Sequence, residues 1–188
     1  MVVDKITNAL SSIKKGEIVL FVSPSGAIHE TDLKVLKHIT SVADEGVYVT
    51  ISRPYMSLIK LLEANKIDTS KMFFIDLITA TASSSMERKS NCLFLSSPNN
   101  LTDLGIAIDQ FLSAKPDANK FIFIDNLTTF LIYNNEGLMT EFTHYLISKM
   151  RVSNVLGAIM SVEEEMGSKL ISAISSVCDR VVKVGGAK

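Results

Sequence analysis

Residues 18–33 read IVLFVSPSGAIHETDL. The run Ile18–Val22 is apolar throughout, with no polar residue at alternate positions. A strand with one wet face alternates, whereas a strand covered on both faces reads as a continuous apolar run. A short loop holding Pro24 and Gly26 follows, and then a stretch with helical spacing. Ligands of open α/β sheets bind at the carboxyl ends of the strands. The Ser23–Glu30 loop is therefore the first place to look for chemistry.

The same alternation repeats outward along the chain. Short apolar runs fall at Val47–Ile51, Met72–Ile75, Cys92–Leu95, Phe121–Ile124, Val155–Met160 and Arg180–Val184. Helical patterns separate them. Asp32–Asp44 carries Leu33, Leu36, Ile39 and Val42 or Ala43 on one face, with Thr31 as N-cap. Tyr55–Asn65, Leu101–Ser113, Glu136–Arg151 and Gly167–Val177 have comparable stripes, and Asn100 is the expected N-cap of the second of these. A leading helix over Val3–Lys15 stops at Gly16. Alternating strands and helices predict right-handed crossovers and a three-layer, doubly wound, mostly parallel α/β sheet. The length, 188 residues, fits one domain. The Ser/Thr-rich stretch Thr79–Asn91 is expected to be a surface loop.

Composition narrows the function classes. Hydrophobic residues make up 47% and charged residues 21%, which fits a cored globular protein. The formal net charge is −1, and Arg53, Lys60, Lys66, Lys71, Arg88 and Lys89 are scattered, so a nucleic-acid partner is not expected. No run approaches the ~18 apolar residues of a membrane span, and the first residues lack a signal-peptide core. The expected location is the cytoplasm, with Cys92 and Cys178 as free thiols. His29, His38 and His144 lack zinc-site spacing, and SPSG is not a hydrolase elbow. Asp76 and Asp125 end runs that can lie side by side, which would allow at most weak cation binding.

Several stretches together resemble the RecA/KaiC-like branch of the P-loop proteins, in particular the small archaeal KaiC-like proteins. They are the Ile18–Gly26 strand and loop, VYVTISRP (47–54), FFIDLITA (73–80), LSSPNNLTDLGIAIDQFL (95–112), FIFIDNLTTFLIYN (121–134), VLGAIMSVEEE (155–165) and CDRVVKV (178–184). The resemblance spans about residues 1–185 and implies a single RecA-like domain over 1–188. It also implies a phosphate loop, G-x-x-x-x-G-K-[ST]. Aligned at the end of the first strand, that motif falls on Ser23–Glu30. Ser23 replaces the first Gly, Ile28 the second, His29 the Lys and Glu30 the Mg²⁺-holding hydroxyl, while Gly26 lies between. Pro24 removes one more amide from the loop. Shifting by one residue recovers Thr31 but places Glu30 at the Lys position, where a carboxylate repels polyphosphate.

Asp125 resembles the aspartate that such proteins place near Mg²⁺. The glutamate that would activate water after the second strand has no counterpart among Thr50, Ser52 and Arg53. Glu163, Glu164 and Glu165 follow the sixth strand as a sensor-like or solvated turn. The expectation is thus a degenerate RecA/KaiC-like module: no catalytic residue, bound cofactor or metal, and a vestigial loop of Ser23, Gly26, Ile28, His29 and Glu30. Its partner would be another protein or a second copy of the chain, met through an apolar patch on a sheet edge or helix face. Ile28 should turn inward over the former phosphate site. The rival expectation is an ATPase with an unconventional phosphate site built on His29 and Asp125.

Overall fold

In the computed structural model, residues 2–82, 88–165 and 168–185 are described. Seven strands form one sheet: β1 (Ile18–Ser23), β2 (Glu45–Thr50), β3 (Met72–Asp76), β4 (Cys92–Phe94), β5 (Lys120–Asp125), β6 (Leu156–Val162) and β7 (Arg180–Lys183). Their spatial order is β4-β3-β2-β5-β6-β1-β7, and every pairing between them is parallel. The helices are α1 (Val2–Ser11), α2 (Ile28–Val42), α3 (Tyr55–Ala64), α4 (Thr79–Ala82), α5 (Leu101–Ser113), α6 (Glu136–Val152) and α7 (Lys169–Val177).

A sheet of this kind is buried on both sides, and the side-chain period of two divides each strand between two cores. Ile18, Leu20 and Val22 of β1 point to one core, which α5, α6 and α7 cover. Val19 and Phe21 point to the other, covered by α1, α2 and α3. The three-layer architecture expected from the continuous apolar runs is the one observed.

Helix ends follow local chemistry. The Asn100 carboxamide accepts from the Asp103 amide at 3.2 Å, so the expected N-cap is in place. Asn135 and Ser168 cap α6 and α7 in the same way, through the amides of Leu138 and Ile171.

Other boundaries differ from the expectation. α2 begins at Ile28, and Thr31 lies inside its first turn. The Thr31 hydroxyl bonds back to the Ala27 carbonyl at 3.0 Å instead of capping. The expected stripe is in place, with Leu36, Ile39 and Ala43 buried and Leu33 packed against the core, while Val42 is 54% exposed; the earlier start adds Ile28, and Val35 is buried beside it. α1 ends at Ser11, short of Gly16, because the hydroxyls of Ser11 and Ser12 bond back to the last turn. Gly16 is needed for another reason. Its φ is +80°, and a Cβ there would lie 2.2 Å from the Asn154 Oδ1. The Thr79–Asn91 loop opens with the helical turn α4, and the Lys89 backbone pairs with Cys92. Residues 83–87 of that stretch, and the expected start of the last helix at Gly167, lie outside the described residues.

Gly46 lies in β2, where the Phe121 ring of β5 crosses the position a side chain would take, 2.1 Å from an added Cβ. The Gly46→Ala variant is expected to lose about 1–3 kcal/mol through overpacking, read as a lower urea midpoint with an unchanged slope.

Candidate functional site

The β1–α2 junction is short. After β1 ends at Ser23, Pro24 leads into one 3-10 turn, Ser25–Ala27, closed by the Ala27 amide on the Pro24 carbonyl at 2.8 Å. The helix then begins at once. Ile28 is buried in the core with α3 and Phe21, so it turns inward. Ser23 is fully buried, and its hydroxyl lies 3.1 Å from that of Thr31. Glu30 points outward and pairs with Lys34. Gly26 has open space around it.

An internal anion meets this loop. The Ser25 amide and hydroxyl both donate to the Glu164 carboxylate, the amide at 3.2 Å to each oxygen and the hydroxyl at 2.8 Å. Glu164 sits on the 3-10 turn Glu163–Glu165 that follows β6, the neighbour of β1. Its carboxyl is held below the usual range by its own backbone amide and by both Ser25 donors.

Behind the loop lies a buried polar cluster. Asp125, at the carboxyl end of β5, is 3% exposed. Its Oδ2 accepts from the Tyr48 hydroxyl at 2.5 Å and the Ser52 hydroxyl at 3.1 Å. Asp32, on the inner face of α2, is 5% exposed, and its Oδ1 has no hydrogen-bond partner. Both aspartates line one small cavity with about 10 Å³ of free volume, room for roughly one water. At the mouth the Arg53 guanidinium is 3.2 Å from His29 Nε2, and His29 Nδ1 is 3.9 Å from Asp32 Oδ2.

Burial pushes both carboxyl groups upward, and Asp32 reaches about 9, with Asp125 adding repulsion and Arg53 opposing. Two donors stabilise the Asp125 anion, whereas Asp32 has an unpaired oxygen. Asp32 is therefore the group that holds its proton more firmly, and Asp125 the more readily ionised of the two.

Asp76 does something else. In register, Thr50 of β2 stands between Asp76 and Asp125, so the two acids end strands separated by β2 and do not form a pair. That corrects the expected side-by-side placement. Asp76 accepts from the amides of Tyr55, Ile78 and Thr79 and from the Thr79 hydroxyl, at 2.5–2.8 Å. It caps the starts of α3 and α4, with no capacity left for a cation.

Among the described residues, no group of three His, Cys, Asp or Glu side chains is placed to hold a metal. Burial pushes the Cys92 and Cys178 thiols up to about 12, which makes them poor nucleophiles.

No local pattern in the sequence marks Tyr48 or Ser52 as a site residue. Asp32 carried a readable signal, being four residues after Ile28 and three before Val35, a charge on an apolar stripe. The Glu164–Ser25 contact joins residues 139 apart and had no local signal.

The Asp32 proton gives a pH dependence with a definite sign. Between the ordinary carboxyl range and about 9 the folded state keeps a proton that the unfolded state has lost. Stability therefore falls as pH rises through this window. The Asp32→Asn variant lacks that term. Its stability relative to the parent is expected to rise by roughly 2–4 kcal/mol between pH 5 and pH 8, measured by urea unfolding at both pH values.

Comparison with known proteins fits this architecture. The fold is similar to the KaiC-like protein PH0186 of Pyrococcus horikoshii OT3. The TM-score is 0.66 at 13% identity, covering 91% of this chain and 73% of that one. PH0250 of the same organism matches with a TM-score of 0.62 at 12% identity, over 96% of this chain and 87% of that one. The sheet and its helices thus form a RecA/KaiC-like fold. No curated protein matches the chain. Residues 16–184 match a family of unknown function, DUF7504, and the chain belongs to that family.

Proposed function

We propose that this protein is a catalytically degenerate RecA/KaiC-like module of the cytoplasm that works by binding protein, not by hydrolysing ATP. One observation carries the reading. The loop amide that would face a phosphate donates to the chain's own Glu164. The surrounding chemistry supports it. Ile28 is packed into the core at the position of the second glycine, and Glu30 stands where the Mg²⁺-holding hydroxyl belongs. Asp125 lies behind the loop with its Oδ2 already engaged by the Tyr48 and Ser52 hydroxyls. No carboxylate between Thr50 and Pro54 is available to activate water.

The rival, an ATPase with an unconventional site, has one observation in its favour. Arg53 and His29 stand together at the carboxyl ends of the strands, where a phosphate could meet them. Arg53, however, already faces the buried Asp32 and Asp125, and His29 Nδ1 lies 3.9 Å from Asp32 Oδ2.

Isothermal titration with ATP and Mg²⁺ separates the readings. The wild-type chain is expected to give no binding heat, and micromolar affinity would overturn the proposal. The combined variant Ile28→Gly, His29→Lys, Glu30→Thr and Glu164→Ala restores the motif from its second glycine and frees the Ser25 amide. It is expected to gain measurable ATP binding, with hydrolysis still at background.

A further inference from the structure

The outer flanks of α5 and α6 leave a groove of about 440 Å³ on the molecular surface. The inner faces of both helices are spent on the core below them. The groove walls keep large apolar side chains in solvent: Ile106 is 51% exposed, Leu138 44% and Tyr145 38%. Gly105 forms the floor. A Cβ there would lie 3.5 Å from Tyr145 and 3.7 Å from Phe142, ordinary contact distances, so a side chain longer than alanine's at 105 would enter the groove. A mid-helix glycine costs about 1 kcal/mol relative to alanine.

The aromatic wall is preset. The Tyr145 hydroxyl donates to Asp109 at 2.8 Å, the Lys149 ammonium donates to the same carboxylate at 3.0 Å, and Lys149 also lies over the Tyr145 ring. A ring held in place before binding loses little freedom when a partner arrives.

Size and charge select the occupant. From Leu101 to Asp109 the groove runs along about 12 Å of helix, or two turns. A stable globular interface needs roughly 800 Å² on each side, so a groove this short suits a single segment. The two charged residues in its walls, Asp109 and Glu141, are both acidic. Lys149 neutralises Asp109, while Glu141 has no ion-pair partner among the described residues. A symmetric pairing of two copies would bring Glu141 toward its own image and leave the acidic charge uncompensated.

We infer that the α5–α6 groove docks a short amphipathic helix of a partner protein, whose apolar stripe fills the groove and whose Lys or Arg meets Glu141. This deepens the protein-binding reading and rests on it. Helix-in-groove recognition uses anchors at i, i+3 or i+4 and i+7, a spacing that two turns can hold.

The test uses the full chain and a fluorescein-labelled helical peptide with leucines three and four residues apart and lysines on its flank. Fluorescence anisotropy should report saturable binding that weakens with added salt. Ile106→Glu should lower the affinity at least tenfold, and Gly105→Leu should do the same by filling the floor. Glu141→Lys should shift the preference to a peptide with glutamates in place of the lysines. Ile106 and Glu141 are exposed, so circular dichroism of these two variants should match the parent.

Absence of binding by the wild-type chain overturns the inference, as does equal binding of the two peptides or unchanged affinity in Ile106→Glu. A dimer in sedimentation that Ile106→Glu dissolves also overturns it, by assigning the groove to a second copy. Failure of the groove with silent ATP titrations leaves the non-ATPase reading standing. ATP binding would remove that reading whatever the peptides do.

Discussion

An all-parallel sheet has no face it can show to water, and the remaining features of this protein depend on covering both. Each strand divides its side chains between two cores, and each crossover helix must reach its own layer within a few residues of the strand it leaves. At the β1–α2 junction this leaves Pro24 and one 3-10 turn. Ile28 then enters the core with Phe21 and α3, and its burial anchors the start of α2. In this chain the loop is fixed by packing, with the Ile28 side chain in the core.

The anchored helix sets the electrostatics behind it. Because α2 starts at Ile28, Asp32 falls on its inner face, beside the carboxyl end of β5. Asp125 already has hydroxyl donors from β2 and the loop after it, Tyr48 and Ser52. Two buried acids cannot both ionise in so small a space, so the cluster keeps a proton and remains closed under Arg53 and His29. The loop amide outside has the Glu164 carboxylate as its acceptor. Negative charge is thus supplied from within at this end of the sheet.

The opposite face has a different character. There α5 and α6 meet over a glycine, and the apolar residues flanking it have no covering element among the described residues. The polar end of the sheet is internally satisfied except at Asp32 Oδ1, and the helical face on the far layer keeps exposed apolar surface. The closed β1–α2 loop and the open helical face are the two features that support the proposed binding role.

Local patterns in the sequence were enough to establish the layers. Ile18–Val22 and Phe121–Ile124 are too continuously apolar for a half-wet strand, and Asn100 is a cap wherever its helix packs. Boundaries were less legible: Thr31 looked like a cap until burial gave its hydroxyl the partners Ala27 and Ser23. Asp76 and Asp125 were expected on adjacent strands, but the crossovers set β2 between β3 and β5, an order no local pattern encodes. Tertiary structure alone decided that Asp32 and Asp125 line one cavity, that Glu164 reaches Ser25, and that α5 and α6 leave a groove above Gly105. Each depends on distances between residues far apart in the chain, and those distances exist only once both faces of the sheet are packed.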